Sequence, residues 1–263
     1  MEEMTPEDHS LSSVFALHKD MLPSEERIDQ IQAHCPLDVS TYYRARDGIG
    51  GDIWGIEAVG PQRVMIYVAD FTGHGIAAAL NAARFHSFVQ VDRHRMDKPS
   101  SLLRRLNERL HEVLPVDKFA TMFCATIDFK TQTMEYASAG APPPLYRESQ
   151  DGPFKILNQP SLPLGIAPNV AYASQTVPFK AGGTLVLYSD GLIETPRPPR
   201  SRLTTESLGG FLDRTKQVSS SELCRSVTEE LFRDSAMDSD DDITLAVAQH
   251  TGRDLGDVVD CEI

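Results

Sequence analysis

The strongest constraint on the fold is the order in which short strand-like segments and paired helices follow one another. Over most of residues 37–189, apolar residues alternate with polar ones or form short apolar runs, which is typical of β-strands. Two consecutive segments between residues 75 and 114 instead have helical composition and spacing. Strands broken by paired helices predict an α+β fold, in which two antiparallel sheets pack as a sandwich with helices on the outside.

The same patterns predict individual elements and domain limits. We expect strands, paired largely by hairpins, at 37–45, 51–59, 62–70, 120–129, 132–139, 183–189 and 243–249. We expect helices at 75–89, 101–114, 205–215 and 219–234, with a proline-rich interruption at 195–200. The domain should span residues 35–250, between an N-terminal helical segment, 1–34, and a C-terminal tail, 251–263.

Composition excludes several classes of protein. The net charge of −13, without a basic run that contains aromatic residues, argues against nucleic acid as a partner. Apolar runs stay far below the roughly 20 residues that a membrane-spanning helix needs, so no membrane association is expected. The acidic N-terminus lacks the features of a secretory signal, which predicts a cytoplasmic protein. The four cysteines form no CxxC pair and are interpreted as reduced, structural thiols.

Aspartates recur where a strand-like run meets a turn. They are Asp52 after two glycines, Asp70, Asp190 and the run 240–242. Strand ends hold side chains rigidly, so several such carboxylates can converge on one point. Converging acids must take up protons or bind a cation, and hard oxygen ligands favour Mg²⁺ or Mn²⁺. Taken singly, each aspartate is better explained as a turn or helix-start residue.

The sequence Asp-Phe-Thr-Gly-His-Gly at 70–75 directly precedes an alanine-rich helical segment. Its glycines permit close backbone approach or positive φ, which leaves the side chain of Asp70 and the carbonyl of Phe71 free to face a ligand. His74 can assist proton transfer, but packing at the helix start or a backbone hydrogen bond explains it at least as well. We therefore leave His74 out of the predicted catalytic set.

Seven motifs occur in a characteristic order over roughly residues 35–249. They are Gly-Gly-Asp at 50–52, Ala-Asp-Phe-Thr-Gly-His-Gly at 69–75, Phe-Ala-Thr-Met-Phe at 119–123, Ala-Gly-Ala-Pro-Pro-Pro at 139–144, Leu-Pro-Leu-Gly at 162–165, Tyr-Ser-Asp-Gly-Leu at 188–192 and Asp-Asp-Ile-Thr at 241–244. This set resembles the metal-dependent protein serine/threonine phosphatases related to protein phosphatase 2C (PPM type), in their bacterial SpoIIE/RsbU-like branch.

The resemblance implies a site with two Mn²⁺ or Mg²⁺ ions. By this likeness the metal ligands are Asp52, Asp70, Phe71 through its carbonyl, Asp190 and Asp241. Asp70 bridges the two ions, and Asp52 acts directly or through metal-bound water, so Asp52 and Asp70 form the catalytic set. Asp242 remains an alternative to Asp241, because the two residues are adjacent and the motif can be read in either register.

Three positions depart from the family pattern. Gly55 stands where relatives often have a second acid, Ala69 where many have glycine, and Ala141 where they often have histidine. None of the three changes removes a predicted ligand. We therefore expect an active enzyme, in which the rate or the metal affinity can differ from that of relatives.

The implied activity is hydrolysis of phosphoserine or phosphothreonine by attack of a water that the metal ions activate. The implied substrate is a regulatory partner protein, such as an anti-sigma-factor antagonist in a partner-switching pathway. Two alternatives stay open: a catalytically weak or silent binding module with this fold, and a metallohydrolase acting on nucleotides or small phosphates. Arg44 and Arg46 are able to touch phosphate, although solvated edge-strand arginines are the simpler interpretation.

The N-terminal residues 9–34 predict two short helices. Apolar residues recur at helical spacing up to Leu22, Pro23 stops the first helix, and Ser24 followed by two glutamates is typical of a capped restart. Leu11, Val14, Phe15, Met21 and Leu22 form the apolar face. This face is predicted to be regulatory, including as a homodimer contact, and simple packing on the domain's own sheet is an equal alternative.

Overall fold

Two β-sheets packed face to face, with helices on both outer faces, form the architecture of the computed structural model. The structure describes residues 15–96, 98–194, 196–197, 201–215, 218–232 and 241–254. The predicted α+β sandwich of two antiparallel sheets is confirmed.

Within the described residues, ten strands build the two main sheets, and two more pair with each other as a separate two-stranded sheet. In chain order they are β1 (Leu37–Arg44), β2 (Ile53–Gly60), β3 (Arg63–Phe71), β4 (Ala120–Asp128), β5 (Thr133–Ala139), β6 (Leu145–Arg147), β7 (Lys155–Ile156), β8 (Gln175–Pro178), β9 (Thr184–Tyr188), β10 (Pro196–Arg197), β11 (Ser201–Arg202) and β12 (Ile243–His250). The first sheet has the order β1-β12-β9-β6-β7, and the second has the order β2-β3-β4-β5-β8. All pairings between these strands are antiparallel.

The helices cover the outer faces of the sandwich. They are α1 (Glu25–His34), α2 (Gly75–Asp92), α3 (Pro99–Val113), α4 (Asp190–Glu194), α5 (Thr205–Leu212) and α6 (Ser220–Phe232), with a 3₁₀ helix at Arg93–Arg95 and a helical segment at 15–19. Buried side chains of α2 and α3 pack on the second sheet, and those of α5 and α6 pack on the first. A third apolar cluster fills the space between the sheets.

Helix α1 begins as the sequence predicts. The side chain of Ser24 accepts a hydrogen bond of 3.2 Å from the backbone N–H of Arg27, which satisfies one free donor of the first turn. Ile31 is fully buried in the cluster between the sheets, and Arg27 forms an ion pair of 2.7 Å with Glu57 on β2. Helix α1 therefore packs directly on the sandwich, whereas Leu11 and Val14 lie outside the described residues.

Most predicted elements occur within a few residues of their expected bounds. The expectation of hairpin pairing is only partly correct: hairpins join β2 to β3 and β4 to β5, but β1 pairs along its length with β12 at the far end of the domain. Strands β6, β7 and β8 have at most four residues, too few for a clear alternation, and were not predicted. Among the described residues, no helix is long and apolar enough to span a membrane.

Candidate metal centre

The four acidic segments meet at one end of the sandwich. Asp52 directly precedes β2, and Asp70 is the penultimate residue of the neighbouring antiparallel strand β3. Asp190 follows β9 closely, and Asp241 and Asp242 directly precede β12, which is the antiparallel neighbour of β9. The start of one antiparallel strand lies beside the end of its neighbour. Each sheet therefore contributes two acidic segments to the same end.

Asp52 lies at the centre of this group and is only 1% exposed. The hydroxyl of Thr244 donates a hydrogen bond of 2.6 Å to its Oδ2 atom, and the hydroxyl of Ser189 is hydrogen-bonded to the same carboxylate. Burial, reinforced by the negative charges of Asp242 and Asp190, raises the pKa of Asp52 to about 7. The two hydroxyls oppose this rise because they stabilise the ionised form.

The other acids interact with one another in the same way. Burial, followed by repulsion from Asp52, Asp190, Asp241 and Asp242, raises the pKa of Asp70 well above its usual range. Burial and the nearby charge of Asp241 raise the pKa of Asp190 to about 6. Carboxylates that repel one another in this way either hold protons or bind a cation. The structure therefore places these acids close enough to repel one another, and their role as metal ligands stays a prediction.

The adjacent residues Asp241 and Asp242 have different environments. The carboxylate of Asp242 is 2% exposed and accepts hydrogen bonds from the backbone N–H groups of Arg46 at 2.9 Å and Gly51 at 2.7 Å. Asp241 is partly exposed, and its Oδ1 atom accepts a hydrogen bond of 2.8 Å from the backbone N–H of Asp242. Asp242 thus holds the segment that leads to Asp52, while Asp241 stands at the edge of the acidic group.

Glycines keep this region tightly packed. A Cβ atom at Gly50 would lie 1.9 Å from a carboxylate oxygen of Asp242. A Cβ atom at Gly51 would lie 2.6 Å from the carbonyl oxygen of Phe71, so glycine keeps space beside that oxygen. The Gly-Gly-Asp motif is therefore required by close contacts on both sides of the chain.

Three further residues singled out in the sequence lie near this end of the sandwich. His74 precedes the first turn of α2, and its Nδ1 atom is 3.1 Å from Oδ2 of Asp47. Arg44 ends β1, an edge strand as expected, and its guanidinium lies over the ring of Phe232 at 5.8 Å. Arg46 contributes its backbone N–H to Asp242, and its Nε atom is 4.0 Å from Asp47.

The donor set fits hard divalent cations. The ligands available are carboxylates and a backbone carbonyl, and the space beside the Phe71 oxygen exists only because residue 51 is glycine. In the part of the chain that the structure describes, no three Asp, Glu, His or Cys side chains form a ready-made metal cage. Mg²⁺ is commonly bound through one or two carboxylates and otherwise by water, so such a cage is not required.

Ser189 and Thr244 lie within two of the sequence motifs, but the sequence predicts no role for either residue. Their hydroxyls contact a buried carboxylate that is distant in sequence, so no local pattern identifies this contact. The one available signal was their position, since each lies within two residues of a predicted metal ligand or its alternative.

The fold and the acidic group define a class of protein. The SiaA-PP2C domain of Pseudomonas aeruginosa superposes with a TM-score of 0.79 at 18% identity, over 92% of this chain and 96% of that domain. The architecture is therefore that of PP2C-type phosphatase domains. A structure of RsbX in complex with magnesium also superposes, with a TM-score of 0.61 and 20% identity, over 81% of this chain and 94% of RsbX.

The chain belongs to the family described as Stage II sporulation protein E (SpoIIE), whose model matches residues 60–251. Asp70, Phe71, Asp190 and Asp241 lie inside the matched segment, and Asp52 lies ahead of it. The phosphoserine phosphatase RsbP of Bacillus subtilis (strain 168) is 28% identical over 170 residues, which are 63% of this chain and 40% of RsbP. The chain spans about half the length of the curated relatives it matches.

Proposed function

We propose that this protein is a metal-dependent phosphatase that hydrolyses phosphoserine or phosphothreonine on a regulatory partner protein. The observation that carries the proposal is the group of carboxylates at one end of the sandwich, whose pKa values are raised by burial and by one another's charge. Such a group is costly in a folded protein unless cations offset its charge. Membership of the SpoIIE family adds support.

We assign the cations, two Mn²⁺ or Mg²⁺ ions, to a ligand set made of Asp52, Asp70, the carbonyl of Phe71, Asp190 and Asp241. Cations at this site supply activation of a water molecule and compensation of charge on the phosphoryl oxygens. Asp70 faces the acids of both sheets and is the residue suited to bridge. Asp52 contributes its buried carboxylate to the same centre, and Asp242 holds the adjoining segment rather than a cation.

The substrate class follows from likeness to relatives. RsbP is named as a phosphoserine phosphatase, which supports a phosphoserine substrate here. We propose a phosphorylated anti-sigma-factor antagonist, or a protein of that kind, as the partner. Release of phosphate from the phosphorylated protein should be faster than from free phosphoserine at equal concentration. Equal rates would argue against a dedicated protein substrate.

We also propose that the N-terminal helical residues regulate the centre. His18 is 5% exposed, and its Nε2 atom lies 3.0 Å from the carbonyl oxygen of Gly50 in the segment that leads to Asp52. A displacement of these residues is therefore able to disturb the metal centre. Leu17 is two-thirds exposed, and a homodimer through these helices would cover it. Sedimentation of the wild type and of Leu17→Glu tests this arrangement.

The activity is tested with a phosphoprotein substrate and added Mn²⁺ or Mg²⁺. We expect activity to disappear in EDTA and to fall by several orders of magnitude in Asp70→Asn and Asp190→Asn, because both variants lose a metal ligand. Asp151→Asn is the matched control, since Asp151 is exposed in the turn between β6 and β7 and is not one of the acids of the group. Full activity in EDTA, or in folded Asp70→Asn, would contradict the proposal.

A further inference from the structure

The contacts of Asp52 point to a role for two residues that no motif assigns. We propose that Ser189 and Thr244 are positioning residues, whose hydroxyls fix the Asp52 carboxylate and tie it to the segments that carry Asp190 and Asp241. The inference rests on the proposed function, because the two hydroxyls are proposed to position groups of the metal centre.

Both hydroxyls are well placed to hold the carboxylate. The Thr244 hydroxyl donates to Oδ2 of Asp52 at 2.6 Å, and the Ser189 hydroxyl is hydrogen-bonded to the same carboxylate. Ser189 is 2% exposed and Thr244 is fully buried, so water does not replace these donors. Hydrogen bonds to an ionised acceptor are among the stronger ones in proteins, and they fix the orientation of the group.

The same two residues also hold each other. The backbone N–H of Thr244 donates to the Ser189 hydroxyl oxygen at 2.9 Å, and the backbone N–H of Ser189 donates to the Thr244 carbonyl oxygen at 3.0 Å. Ser189 therefore uses its oxygen to accept from Thr244 and its proton to reach Asp52. One connected network joins Asp52 of the second sheet to both acid-bearing segments of the first.

The position of these residues in the chain explains why the network matters. Ser189 directly precedes Asp190, and Thr244 follows Asp242 by two residues. A shift of either hydroxyl therefore displaces a proposed ligand as well as Asp52. Partners that hold ligating carboxylates in this way typically contribute about 10- to 100-fold to metal affinity or activity.

The test measures the dissociation constant of Mn²⁺ by calorimetry on the purified full chain, together with the melting temperature in EDTA. Thr244→Val keeps the shape of the side chain and removes the hydroxyl, Thr244→Ser keeps the hydroxyl, and Ser189→Ala removes the second donor. We expect Mn²⁺ affinity to fall about 10- to 100-fold in Thr244→Val and Ser189→Ala, and by less than about threefold in Thr244→Ser. Thr126→Val is the control, because Thr126 is a buried threonine on β4, outside the centre.

Several outcomes overturn the inference. The inference is wrong if Mn²⁺ affinity stays within about threefold of wild type in folded Thr244→Val, since the hydroxyl on Asp52 then contributes nothing to metal binding. An equal loss in Thr244→Ser would also overturn it, because packing of the methyl group would then be the cause. If Thr244→Val does not fold, Ser189→Ala decides by the same criterion. A wild-type protein that binds no Mn²⁺ overturns the proposed function itself, which separates that failure from a failure of the two hydroxyls alone.

Discussion

The backbone N–H of Gly51 donates a hydrogen bond of 2.7 Å to the carboxylate of Asp242, a residue almost two hundred positions later in the chain. The same carboxylate accepts from the backbone N–H of Arg46 at 2.9 Å. One buried side chain thus connects the strand that ends the domain to the segment that begins its second sheet.

This contact predicts that Asp241 and Asp242 have separable roles. In EDTA, Asp242→Asn should lower the free energy of unfolding by about 1–3 kcal/mol, because an amide group replaces one acceptor of a buried backbone N–H. Asp241→Asn retains an Oδ1 acceptor for the neighbouring N–H, so its stability should change little while Mn²⁺ affinity falls at least about tenfold. Denaturant unfolding and calorimetry measure the two effects. If Asp242→Asn instead lowers Mn²⁺ affinity while Asp241→Asn lowers stability, Asp242 is the metal ligand.

A second prediction concerns Gly191, in the first turn of α4. A Cβ atom there would lie 1.9 Å from the backbone carbonyl oxygen of Asp242, which cannot move freely. Gly191→Ala should therefore destabilise the protein by about 3 kcal/mol or more, although alanine favours helices. Gly210→Ala in α5 is the matched control, because the nearest atom to its added Cβ is 4.0 Å away. The control should be neutral or up to about 1 kcal/mol more stable by thermal unfolding.

A third prediction concerns pH. The pKa values of Asp52 and Asp190 are raised to about 7 and about 6 by burial and neighbouring acids. The folded state therefore binds more protons than the unfolded state between about pH 4 and 7, and stability falls as pH rises through this range. Without metal, the free energy of unfolding should be about 1–3 kcal/mol lower at pH 8 than at pH 5. Saturating Mn²⁺ should remove this decline.

The double variant Asp52→Asn/Asp190→Asn, which removes both acids with raised pKa values named above, is the reference for the pH measurement. Burial lowers the pKa values of His86 and His250, so these histidines make the free energy of unfolding rise with pH in the range where they titrate. This contribution is common to both proteins and cancels in the difference between them. The difference between wild type and variant should therefore isolate the acids. An equal pH dependence of the free energy of unfolding in the two proteins would show that the pKa values of these acids are not raised in the folded state.

The last prediction concerns the contact between His18 and Gly50. His18→Ala removes a buried side chain whose ring nitrogen is 3.0 Å from the Gly50 carbonyl oxygen. We expect a loss of about 1–2 kcal/mol in the free energy of unfolding and a several-fold higher Mn²⁺ requirement for activity. His94→Ala is the control, since His94 is exposed in the 3₁₀ helix. If folded His18→Ala has the same Mn²⁺ requirement as wild type, the contact between His18 and Gly50 does not influence the metal centre, and the regulatory proposal is wrong.

The local elements were predictable because they depend on neighbours in sequence. The alternation along β3, the helical leucines of α3 and the Ser24 cap each contain their own physical cause within a few residues. The acids at strand ends were visible for the same reason. Their convergence also followed, since antiparallel neighbours bring the start of one strand beside the end of the next.

Contacts between residues that are distant in sequence were determined only by the tertiary structure. The pairing of β1 with β12 joins segments about two hundred residues apart, and nothing local specifies it. The adjacent residues Asp241 and Asp242 are chemically identical in the sequence, yet a backbone N–H of Gly51 engages only the second. Ser189 and Thr244 gained a role only when the two sheets placed their hydroxyls against Asp52. The sequence by itself determined which groups were available, and packing of the two sheets determined which of them meet, because a hydrogen bond requires its two atoms to lie within about 3 Å of each other.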